Sequence, residues 1–152
     1  MIELLLAEDN PSDAELIVES LAKSRLTERM HVARDGEEAL DFLFGRGELA
    51  TRITLQSLRL VLLDLKLPKV GGLDVLREVR REPTTRHVPV VILTSSKIES
   101  DVARSYELGA NSYVQKPVDF LEFREVVQQV GRYWLRLNEP PPGSLRVAAS
   151  ST

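Results

Sequence analysis

Val61-Leu62-Leu63-Asp64-Leu65-Lys66-Leu67-Pro68 is the stretch that decides the fold. Aliphatic residues run from Leu60 to Leu63 and end on a carboxylate, and Pro68 soon forbids any helix. A run this short reads as a strand buried on both faces rather than as a helix. An acid where such a strand leaves the core stands where α/β sheets keep their ligand crevice. Taken alone, Asp64 could equally cap a turn.

The same pattern repeats on either side. Ile2 to Ala7 is a first aliphatic strand and also ends on acids, Glu8 and Asp9. Met30 to Ala33, Val88 to Leu93 and Ser112 to Gln115 read as the remaining strands, the last two followed by Thr94-Ser95-Ser96 and Lys116-Pro117. Between them lie helix signals. Asn10 can cap, Pro11 suits a first turn and Asp13 complements the helix dipole, ahead of the apolar stripe Leu16, Ile17 and Leu21. Asp35-Gly36-Glu37-Glu38 resembles a capping box before Ala39, Leu40, Leu43 and Phe44. Leu73, Leu76 and Val79 mark a third helix after Gly71-Gly72, stopping before Pro83. Ser96 and Glu99 have capping-box spacing for a fourth, which Gly109 terminates. Asp119 and Glu122 open a fifth that runs to about Leu137. Gly45 to Ser57 has no period and reads as a long loop. Asn138 to Thr152, opening with Pro140-Pro141-Pro142-Gly143, reads as a disordered tail behind one domain spanning 1–137.

Strand–helix alternation of this kind predicts a parallel sheet with helices on both faces, doubly wound rather than closed into a barrel. The chain of 152 residues suffices for one domain with a real core. Its net charge of −3 argues against nucleic acid as the main partner. The absence of cysteine removes disulfides, thiol nucleophiles and cysteine-based metal sites. No apolar run approaches transmembrane length and the N-terminus is acidic too early for a signal peptide, so a cytoplasmic protein without membrane contact is expected.

Read as chemistry, the strand ends deliver Glu8, Asp9, Asp64, Thr94 and Lys116 to one edge of the sheet. Three carboxylates against one amine leave an excess of negative charge, and such carboxylates raise each other's pKa unless a cation intervenes. Hard oxygen donors without His or Cys favour Mg²⁺ over zinc. His31 and His87 are isolated and read as structural or surface residues. Arg77, Arg80, Arg81 and Arg86 are interspersed with Glu78 and Glu82 and read as a solvated helix face. No phosphate-binding glycine motif is present.

In order and spacing, Glu8-Asp9, Leu63-Asp64-Leu65-Lys66-Leu67-Pro68 with Gly71-Gly72, Thr94 and Lys116-Pro117 resemble the marks of response regulator receiver domains. The resemblance covers the chain to about Leu137. It implies a flavodoxin-like five-stranded sheet in the order 2-1-3-4-5, with Asp64 accepting a phosphoryl group from a sensor histidine kinase. It implies Mg²⁺ on Glu8, Asp9, Asp64 and the Lys66 backbone carbonyl, with Lys116 and Thr94 contacting the phosphoryl group and a cis Lys116-Pro117 bond aiming the lysine inward. Tyr113 matches the family's switch aromatic, and Lys66 and Ser96 are placed to modulate phosphoryl lifetime. The long loop, the Leu67-Pro68-Lys69-Val70-Gly71-Gly72 stretch and the lack of an output domain resemble single-domain regulators paired with bacterial phytochromes.

Two rivals are an aspartate-nucleophile phosphatase and a receiver-like scaffold that is never phosphorylated. Lys66 stands where the phosphatase carries its second acid, and no member of the constellation is missing for a scaffold to explain. On the last helix Phe120, Phe123, Val126, Val127, Val130, Tyr133, Trp134 and Leu137 fall within an arc of about 140°. The surplus at Val126, Tyr133, Trp134 and Leu137 predicts a homodimer face.

Overall fold

The computed structural model describes residues 1–46 and 55–142. Most of the expected long loop, and the expected disordered tail from 143 onward, lie outside the described residues. Five strands alternate with five helices: β1 (Leu4–Ala7), α1 (Pro11–Lys23), β2 (Met30–Ala33), α2 (Gly36–Phe44), β3 (Leu60–Leu63), α3 (Gly72–Arg81), β4 (Val90–Thr94), α4 (Glu99–Glu107), β5 (Ser112–Gln115) and α5 (Phe120–Arg132). A 3₁₀ turn at Leu55–Ser57 leads into β3, and a π-helical turn at Tyr133–Leu137 continues α5. The sheet is wholly parallel in the order β2-β1-β3-β4-β5, as the family resemblance implies.

Side chains alternate across a strand, and here both sets are buried. Leu5, Ala7, Val61, Leu63, Val90 and Ile92 pack with α2 and α3 residues such as Leu40, Leu43, Val75 and Leu76. Leu4, Leu6, Leu60, Leu62, Val91 and Leu93 pack on the other face with Ile17 and Leu21 of α1 and Phe123 and Val127 of α5. Burial on both faces and the in-register pairing of β1 with β3 decide where the residues at the strand ends emerge.

Local signals hold for three helix starts. Asn10, Asp35 and Asp119 each accept a hydrogen bond from the backbone N–H three residues on. The expected cap at Ser96 is corrected: α4 is capped at Ile98 without a side-chain bond. Ser96 Oγ instead accepts from the Ile98 N–H (3.2 Å) and donates to Asp101 Oδ2 (2.6 Å). The carboxylate of α4's own first turn competes successfully for the hydroxyl. β4 starts at Val90 rather than Val88, since Pro89 has no N–H to give the ladder.

Arg80 is also not a solvated residue. Its guanidinium donates to the carbonyls of Gly109 (2.9 Å), Arg86 (3.0 Å) and Val88 (2.7 Å) and to Asn111 Oδ1 (2.8 Å), tying α3 to the loops flanking β4.

The apolar stripe of α5 differs from the expected arc. Phe120 is 59% exposed, whereas Leu135, outside that arc, is 5% exposed. The helix ends in a π turn, where the Asn138 N–H donates to the Tyr133 carbonyl at 2.6 Å. Winding less per residue, that turn brings Leu135 back toward α1. Gly131 permits the approach, since a Cβ there would press on Leu21 and Leu26.

Candidate functional site

β1 and β3 are adjacent and in register, with Ala7 opposite Leu63. Their next residues, Glu8 and Asp64, therefore emerge side by side. Thr94 ends β4 on the far side of β3, and Lys116 follows β5. The structure brings together Glu8, Asp9, Asp64, Thr94 and Lys116. Glu8, Asp64, Thr94 and Lys116 are buried, and Asp9 is exposed. Gly72 allows α3 to start directly beneath this point, since a Cβ there would collide with the Asp64 carbonyl oxygen.

Lys116 Nζ is the hub. It lies 2.7 Å from Glu8 Oε1, 2.8 Å from Asp64 Oδ2 and 2.9 Å from Asp13 Oδ2. An ammonium has three N–H groups, so all of its donors are taken. Burial alone would lower the Lys116 pKa, but the bonds to Asp64, Glu8 and Asp13 outweigh it and raise it. Asp64 follows the opposite logic. Burial raises its pKa, while hydrogen bonds from Lys116 and Thr94 outweigh that and hold the carboxyl below its ordinary value. Asp64 is thus an anion, and its Oδ1 also accepts from the Lys66 N–H at 3.3 Å. Glu8 is different: burial pushes it up to about 7 despite the bond from Lys116, and nearby Asp64 adds to the rise.

One carboxylate oxygen each from Glu8, Asp9 and Asp64 lie within 4.8 Å of one another. An all-oxygen donor set of this kind, with a buried carboxyl that burial discourages from ionising, fits a hard divalent cation.

Asp13 is the residue of this cluster that sequence reasoning missed. It stands in the first turn of α1, where an acid is explained well enough by the helix dipole. Its distance of 103 residues from Lys116 offers no local signal. The Lys116-Pro117 peptide is trans, correcting the expected cis bond; no cis peptide occurs among the described residues. Trans is the lower-energy isomer of an X–Pro bond by roughly 0.5–1 kcal/mol. The lysine points inward without the cis bond because three carboxylates draw its ammonium there.

The remaining expected residues lie around this centre. Tyr113 is half-buried on β5, and its hydroxyl donates to the Ser96 carbonyl at 3.1 Å. Ser96 is buried with its hydroxyl turned to Asp101, and the Lys66 side chain is exposed. Val126 and Trp134 are half-buried, while Tyr133 is 48% and Leu137 71% exposed. No described helix is long and apolar enough to cross a membrane.

Comparison with known proteins agrees with this fold. The chain is 38% identical to the response regulator Rcp1 of Synechocystis sp. (strain PCC 6803) over 132 residues, covering 87% of this chain and 88% of Rcp1. The crystal structure of Rcp1 in its Mn²⁺-bound form superposes with a TM-score of 0.85 at 36% identity, covering 93% of this chain and 99% of that one. The phosphorylated cyanobacterial phytochrome response regulator RcpA gives the same score and identity over 92% of this chain and 98% of its own. The bacteriophytochrome response regulator AtBRR is 50% identical over 91% of this chain and 99% of its own, with a TM-score of 0.71. Residues 4–128 match the response regulator receiver domain family, and the chain belongs to it.

Proposed function

We propose that this regulator accepts a phosphoryl group on Asp64 from a phosphohistidine of a sensor histidine kinase, in a Mg²⁺-dependent transfer. The observation that carries the reading is an ionised Asp64 at a strand end, facing both the Lys116 ammonium and the Thr94 hydroxyl. An Asp64 carboxylate oxygen attacks phosphorus in line as the P–N bond to the donor imidazole breaks, and that bond's electron pair stays on the imidazole nitrogen. Lys116 pairs with one phosphoryl oxygen and the Thr94 hydroxyl donates to another. Glu8, Asp9, Asp64 and the Lys66 carbonyl would hold Mg²⁺, which would neutralise charge on the transferring group. The likeness to RcpA and AtBRR, a phytochrome and a bacteriophytochrome response regulator, supports a bacteriophytochrome as the cognate kinase; a cytoplasmic setting belongs to the same reading.

Output passes through conformation rather than turnover of a substrate. Phosphorylation adds about −1.5 to −2 charge. Thr94 moving toward that charge frees space for Tyr113, whose hydroxyl then leaves the Ser96 carbonyl, shifting the face of α4, β5 and α5. Lys66, exposed two residues past Asp64, shields the acyl phosphate from water, and Ser96 sets the opening on the other side.

Asp64→Asn should abolish labelling by kinase or small phosphodonor, by more than about a hundredfold, with the fold retained. Labelling at the wild-type level would sink the assignment. Two copies pair through the exposed Tyr133 and Leu137 beside Val126 and Trp134, a face of exposed apolar side chains at the end of α5. Sedimentation of Tyr133→Asp/Leu137→Asp should show monomer where wild type shows dimer at tens of micromolar, and a monomeric wild type would remove this face.

A further inference from the structure

Lys116 is anchored three times, and the three anchors are not equivalent. Glu8 and Asp64 belong to the oxygen cluster that suits a divalent cation, together with Asp9. Asp13 does not belong to it, yet it holds Lys116 Nζ at 2.9 Å, as closely as Asp64 does at 2.8 Å. The ammonium and a cation therefore claim the same two carboxylates. They also repel one another at this range. A lysine with no other partner would either obstruct the cation or be driven from the pocket, away from the phosphoryl group it must meet.

We propose that Asp13 is the berth that keeps the Lys116 ammonium beside Asp64 while Lys116 yields Glu8 and Asp64 to a divalent cation. This inference rests on the metal reading above. Asp13 is built for the role. Its own backbone N–H is held by the Asn10 side chain at 3.0 Å, which fixes it in the first turn of α1. Its side chain is 29% exposed, against 2% for Glu8 and 8% for Asp64. A carboxylate on the rim can be reached from outside the pocket and can hold an ammonium that has shifted outward. Asp13 is a positioning residue for Lys116, with no contact to the reacting atoms.

The test is a double-mutant cycle on cation affinity, measured by calorimetry with Mg²⁺ alone and repeated with Mn²⁺. Asp13→Ala leaves Lys116 wedged between Glu8 and Asp64, so the Kd should weaken roughly tenfold. In a Lys116→Met background the same substitution removes only a rim charge, and the Kd should change less than about twofold. Equal weakening in both backgrounds would make Asp13 a plain negative charge and overturn the proposal, as would an unchanged Kd in Asp13→Ala. A second readout needs no lysine variant. The ¹⁵N signal of the Lys116 ammonium should persist in Mg²⁺-saturated wild type and exchange away in Mg²⁺-saturated Asp13→Ala; its persistence in both overturns the proposal. A wild type that binds no divalent cation overturns the metal reading itself and this one with it.

Discussion

The two edges of the sheet carry opposite charge and use it differently. Where the strands end, Glu8, Asp13 and Asp64 surround one buried lysine. Where the strands begin, Arg25, Arg29, Arg59 and Arg136 line a cavity of about 640 Å³ with Glu3 and Glu28. Helix dipoles account for the segregation. In a parallel α/β fold the helices start at the first edge and finish at the second, favouring anions at one and cations at the other. Asn10 and Asp13 open α1, whereas Lys23 closes it and Arg132 closes α5.

At the arginine edge Arg29 pairs with Glu3 at 3.8 Å, and Arg59 and Arg136 turn to backbone carbonyls. Arg136 donates to the Arg25 carbonyl just past α1, and Arg59 to the Asn138 carbonyl (3.2 Å) just past α5. Those groups are left over at chain ends and would otherwise take water. At the carboxylate edge, charge is buried against charge with every ammonium hydrogen committed. Volume therefore does not locate the buried charges: the roomy cavity lies at the edge whose charges face carbonyls, solvent and one largely exposed ion pair.

The largest contrast should come from removing the hub. Lys116→Met leaves Glu8 and Asp64 buried without their common cation, a loss of about 3 kcal/mol by analogy with broken buried pairs. Urea unfolding in chelator at pH 7.5 measures it, and added Mg²⁺ should restore part of it. A loss under about 1 kcal/mol would mean that the carboxylates do not depend on the lysine.

The pH response of cation-free protein should come next. Native Glu8 keeps its proton to about pH 7, whereas the unfolded side chain releases it near its ordinary value of 4.5. Between those values the native state binds more protons, so stability from this group is complete below about 4.5 and is lost as pH rises through 7. The loss is bounded at about 3 kcal/mol. Glu8→Gln should flatten the profile; a profile as steep as wild type would assign the slope elsewhere. Cation affinity should rise over the same interval, because the cation competes with the Glu8 proton.

The smallest effect belongs to the other edge. The Arg59 Nε is buried without a partner among the described residues. Arg59→Met gives up one bond to a carbonyl and relieves that unsatisfied group, so stability should change by less than about 1 kcal/mol. Phosphotransfer to Asp64 should be unaffected. A large loss of transfer would show that the two edges communicate.

Most of the fold was legible because its signals are local. Leu60 to Leu63 and Leu4 to Ala7 announce buried strands by themselves, and Asn10, Asp35 and Asp119 mark helix starts within four residues. The candidate site was legible for the same reason: in a parallel sheet, whatever follows each strand lands on one edge. Glu8, Asp9, Asp64, Thr94 and Lys116 needed only that rule to be gathered.

What only the tertiary structure decided are contacts between elements whose relative rotation no short stretch encodes. Asp13 meets Lys116 because of how α1 is set over the strand ends, so a residue that looked like a dipole partner became the third anchor. Ser96 turned from a cap into a partner of Asp101, and Arg80 from a solvated residue into a staple, because competing acceptors lay close in space. Leu135 joined the core because the last turn of α5 takes a π-helical winding beside α1, which a period of 3.6 cannot foresee.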